Sequence, residues 1–81
     1  MKTQIKISYR KLGREKAHGL AYKDEREIVI DSKIKGHDLL ETIVHEVIHI
    51  QNPNWAEIKV EGHAKELSII LWQQGYRKIQ E

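Results

Sequence analysis

Apolar and polar positions alternate near the start of the chain, then change period. Ile5, Ile7 and Tyr9 alternate with Lys6, Ser8 and Arg10, which predicts a half-buried strand over residues 3–10, because successive strand side chains point to opposite faces. Gly13 and the charges around it predict a turn or loop. His18 to Tyr22 and Glu27 to Asp31, joined by Lys23-Asp24-Glu25-Arg26, predict a β-hairpin whose charged loop lacks a strong turn dipeptide.

From Asp38 the period becomes helical. Leu39, Leu40, Ile43, Val44, Val47 and Ile48 form one apolar stripe, with Gly36 before it and Asp38 or Ser32 as the expected cap. Asn52-Pro53-Asn54 stops this helix, since proline disfavours helical backbone at the residue before it. Asn54 is then the expected N-cap of a second helix from Trp55, with Trp55, Ile58, Val60, Ala64, Leu67, Ile70 and Leu71 as its apolar stripe and Gly75 as its stop. The expected fold is α+β, one domain over residues 1–81, with a small antiparallel sheet of N-terminal strand plus hairpin packed on two helices.

At 81 residues the chain is too short for a deep core, and domains of this size often carry a staple such as disulfides or a metal. It has no cysteine, so a metal is the staple left. No apolar run approaches a membrane span and the N-terminus lacks the apolar block of a signal peptide, so the expected location is the cytoplasm. Fourteen basic against 12 acidic residues give a net charge of +2. That balance argues against a nucleic-acid partner, and the basic residues around positions 10–16 read as a solvated loop.

One motif names a chemistry. His45-Glu46-Val47-Ile48-His49 places two imidazoles about one helical turn apart on one face, so that both reach a single Zn²⁺ at about 2.0–2.1 Å. Glu46, beside the first histidine, can take a proton from a zinc-bound water. A catalytic zinc site also has a third protein ligand and an open fourth position. Glu57 lies in the first turn of the second helix, nearest the chain reversal, and ranks first. Glu61, one turn on along the same face, ranks second. His63, rotated from Glu57 by about 240°, ranks third, and Glu66 lies about 13 Å further along the axis.

The pairing of His45-Glu46-Val47-Ile48-His49 with Glu57-Ile58-Lys59-Val60-Glu61 resembles the gluzincin zinc metallopeptidases, in particular the small phage- or prokaryote-encoded minigluzincins. The resemblance covers residues 18–76. It implies an active-site helix, a following glutamate helix, Glu57 as third ligand and Glu61 as a support for the first histidine. The chain departs from that pattern in having Glu61 where Asp or Asn is usual and in the short link between the helices, which leaves Glu57 and Glu61 both open as ligand. The resemblance also implies that the strand Ile28-Val29-Ile30 forms the sheet edge along which a peptide substrate pairs.

The expected activity is zinc-dependent peptide hydrolysis with Glu46 as general base and a peptide or protein as substrate. His18, Tyr22, His37 and Tyr76 are the groups available to stabilise an oxyanion. The alternative is a zinc-stapled module that acts through a protein partner. A closed set of four protein ligands marks the second, and three ligands with Glu46 beside an open position mark the first.

Overall fold

The computed structural model describes residues 4–13 and 17–79; Thr3, at the start of the expected first strand, and Arg14, Glu15 and Lys16 of the basic loop lie outside them. Three strands, β1 (Lys6–Arg10), β2 (Gly19–Tyr22) and β3 (Glu27–Asp31), precede two helices, α1 (Gly36–Gln51) and α2 (Glu57–Gln73). The fold is α+β, as expected.

β2 and β3 form the expected antiparallel hairpin, with Leu20 opposite Val29 and Tyr22 opposite Glu27. Its turn closes through Arg26, which takes a left-handed conformation at φ 51° and donates its N–H to the Lys23 carbonyl at 3.3 Å. A turn of this kind forms without a glycine, which is why no turn dipeptide announces it.

β1 differs from expectation. It lies on the other side of β3 and runs parallel to it, Ile7 beside Ile28 and Tyr9 beside Ile30, giving the order β1-β3-β2. The sheet is therefore mixed. Alternation along a strand fixes which residues share a face but carries no information on direction. Leu12, just past β1, is fully buried. β3 is the central strand, and β2, not the Ile28-Val29-Ile30 strand, is the free edge beside the helices.

Ile28 and Ile30 of β3 form the core with Leu39 and Ile50 of α1, flanked by Ile5, Ala21, Ile34, Ile43 and Val47. On its other side α1 packs Ile48 against Val60 and Ala64 of α2, with Val44 and Trp55 at the margin. The expected stripe of α1 thus divides between two neighbours.

The inward face of α2 is Val60, Ala64 and Ser68, a spacing of one helical turn. Ile58 is 82% exposed, and Leu67 and Ile70 are also exposed, so the stripe expected from apolar residues alone is wrong for these three. Small residues allow α2 to approach α1 closely, and Ser68 is accommodated because its hydroxyl donates to the Lys65 carbonyl at 3.1 Å.

α1 begins without a side-chain cap at Lys35, so neither Asp38 nor Ser32 plays that role. Asp38 instead sits in the first turn, where the helix dipole favours negative charge. The Gly75 stop forms as expected: at φ 88°, its N–H reaches the Trp72 carbonyl and the Tyr76 N–H reaches that of Leu71, both at 3.0 Å. Among the described residues no helix is long and apolar enough to cross a membrane.

The core assignment predicts that Ile30→Ala lowers unfolding free energy by about 2–5 kcal/mol, whereas Ile58→Ala changes it by no more than about 0.5 kcal/mol. Urea titrations of both variants against the wild type check this pair.

Candidate metal centre

The centre is built from the last two turns of α1 and the first residue of α2. α1 ends at Asn52, whose backbone N–H and side-chain amide both donate to the Ile48 carbonyl, at 2.8 and 3.3 Å. The Trp55 N–H then donates to the Asn52 carbonyl at 3.0 Å, closing the reversal around Pro53. Asn54 does not cap the second helix; Ala56 holds that position in extended backbone with no side-chain bond. Because Asn52 and Trp55 close the turn, α2 starts two residues later than expected.

That start places Glu57 opposite the two histidines. The His45 and His49 rings lie 4.9 Å apart between centroids, and both Nε2 atoms face the Glu57 carboxylate: Oε1 is 2.6 Å from His45 and Oε2 is 3.1 Å from His49. One donor atom from each of the three residues lies within 4.8 Å of the others. A tetrahedral ion with bonds of about 2.0–2.1 Å separates neighbouring donors by about 3.3 Å, so a small outward shift of the carboxylate admits one. His45, His49 and Glu57 are close enough to bind a metal ion. Glu57 is favourably placed at a helix N-terminus, and its side chain is 65% exposed against 21% for His45 and 14% for His49, so the centre opens to solvent on the Glu57 side.

Two clefts flank the donors. One, of about 350 Å³, is lined by Gly19, Leu20, Ala21 and Lys23 on the strand side and by His45, Glu46, His49 and Glu57 on the helix side. The other, of about 280 Å³, is lined by His18, Gly19, Glu41, Thr42, His45, Glu46 and Glu61. The free edge of β2 forms a wall of both. Lys23 fixes the far end of that wall by donating from Nζ to the Pro53 carbonyl at 3.0 Å, which ties the hairpin turn to the reversal that carries Glu57.

Glu46 sits between these clefts, only 9% exposed. Burial pushes its carboxyl above the usual carboxylate range; charge on His45 and His49 opposes that shift and the Glu57 carboxylate adds to it. It forms no hydrogen bond or ion pair with a described residue.

The other sequence candidates are dispersed. Glu61 lines the smaller cleft with His45 and Glu46 but forms no hydrogen bond or ion pair with either histidine. His63 packs against Trp55 at 4.9 Å between ring centroids, and Glu66 is exposed. Of the four groups considered for an oxyanion, His18 lines the cleft beside Glu46. Tyr22 is exposed, while His37 meets Trp72 edge-on at 5.4 Å and Tyr76 lines a separate apolar cleft beside that tryptophan. Gly19, Thr42 and Lys23 were not singled out from sequence. Nothing in their residue type marks them, since their roles arise from how closely β2 lies on α1.

Comparison with known proteins returned no matching family model, no matching curated protein and no matching solved structure.

A carboxyl whose pKa is raised by folding stabilises the fold below its unfolded pKa, about 4.3 for Glu, and that contribution is lost as pH rises through the folded value. Metal-free Glu46→Gln is therefore expected to melt higher than metal-free wild type at pH 7, with the difference closing as pH falls toward 4. Calorimetric melts across that range check the sign.

Proposed function

We propose that the chain is a zinc-dependent peptide hydrolase in which His45, His49 and Glu57 hold the metal and Glu46 is the general base. The observation that carries this reading is Glu46 itself, a largely buried acid next to His45 that lines both clefts beside the three convergent donors. A zinc serving only as a staple has no use for that acid and is closed by four protein ligands, whereas three donors converge here.

Zinc bound by these residues would acidify a water and polarise a carbonyl. Glu46 accepts the proton from the attacking water and returns it to the leaving amine, and its raised affinity for protons suits both halves of that exchange. Among the described residues no strand covers the outer side of β2, which lies alongside the donors, so an extended peptide can pair with that edge and present a carbonyl to the centre. The clefts on either side of Glu46 take the adjoining side chains.

At equal zinc occupancy, Glu46→Gln is expected to retain fold and metal while peptide hydrolysis falls by about 10²-fold or more, read in a peptide-library cleavage assay. Cleavage surviving in the variant excludes Glu46 as the base. No cleavage by fully metallated wild type across a broad library replaces this reading with a zinc-stapled binding module. Glu57→Ala is expected to lose most of the zinc and Glu61→Ala to keep most of it, measured by competition with a chromogenic chelator. The reverse order makes Glu61 the ligand.

A further inference from the structure

Gly19, the first residue of β2, lies where the strand approaches α1 closely beside the metal donors. A Cβ placed there would lie 3.0 Å from Cγ of Glu46, 3.0 Å from Cγ2 of Thr42 and 3.2 Å from Oε2 of Glu46. Ordinary carbon contacts are about 3.5–4.0 Å. The glycine is not there for its backbone: positive φ values among glycines occur at Gly36 and Gly75, so an alanine at position 19 is conformationally allowed. The constraint is space alone.

We infer that Gly19 is a positioning residue for Glu46: the missing side chain at the start of β2 is the recess that holds the carboxylate beside the histidines. The packing stands independently, and its consequence for turnover rests on the hydrolase reading above. Three groups bound the recess, and two are fixed. β2 cannot withdraw, because Gly19 pairs with the fully buried Ile30 and the neighbouring His18 carbonyl accepts the Asp31 N–H at 2.8 Å. Thr42 cannot turn its methyl away without breaking the bond from Oγ1 to the Asp38 carbonyl at 2.7 Å. Glu46 is the group left to move. One added methyl therefore rotates its carboxylate away from Gly19 and from its place beside His45 and His49, while the three metal donors, none of which is among the three atoms nearest the added one, keep their places.

The test uses Gly19→Ala, Thr42→Ser and the double variant, each compared with wild type. Thr42→Ser keeps the hydroxyl and its bond but removes the crowding methyl, so it returns part of the space that the alanine takes. Gly19→Ala is expected to bind zinc with wild-type stoichiometry, to lose about tenfold or more in kcat and to keep KM within about twofold; adding Thr42→Ser recovers part of kcat. Independently of activity, Gly19→Ala lowers the Tm of the metal-free protein, and that loss shrinks in a Glu46→Ala background. Unchanged kcat in Gly19→Ala overturns the proposal, as does loss of zinc or a Tm loss that is the same with and without Glu46. Should wild type cleave nothing, the hydrolase reading fails and the thermal cycle decides: coupling between positions 19 and 46 upholds the positioning, and its absence overturns it.

Discussion

Five residues, Asn52 to Ala56, turn the chain back so that the first residue of α2 meets the last two turns of α1, and the geometry of the centre follows from that reversal. Pro53 forbids continuation, and Asn52 satisfies the end of α1 twice over through Ile48. The close approach is then maintained along the helix pair by small inward residues, Ala64 and Ser68, with Val60 against Ile48. Bulkier residues in these places would move α2 outward and take Glu57 away from both imidazoles.

The same economy of space operates on the opposite side of α1. β2 lies close against the helix at Gly19 and Thr42, with Glu46 largely buried there and, among the described residues, no strand on the outer side of β2 beside the donors. Lys23 joins the two sides by tying the hairpin turn to Pro53. A buried acid, an open triad of donors and the outermost strand of the sheet therefore belong to one arrangement, each placed by contacts that also hold the fold together.

Much of this was legible in the sequence where local chemistry decides structure. The histidine pair lies on a helix because its stripe has helical period, and Glu57 could be ranked above Glu61 and His63 because a proline stop followed by a helix start fixes its azimuth and height. Features that depend on tertiary partners were not legible. Ile7 and Tyr9 alternate correctly, yet alternation does not fix the direction in which β1 pairs with β3. Ile58 and Ile70 are apolar but face outward, while Ser68 is polar and buried, because closeness to α1 selects small residues over apolar ones. Gly19 shows no turn or positive φ that would mark it; its significance lies in atoms 23 and 27 positions away.

The central claim, that His45, His49 and Glu57 form one open metal site, is tested most directly by X-ray absorption at the zinc edge on protein loaded with one equivalent of zinc and desalted. The account predicts retained metal with two imidazole nitrogens and oxygen donors at about 2.0–2.1 Å, and the loss of one imidazole in His45→Ala. Zinc that washes out, or that shows only oxygen donors at an unchanged signal in His45→Ala, contradicts it.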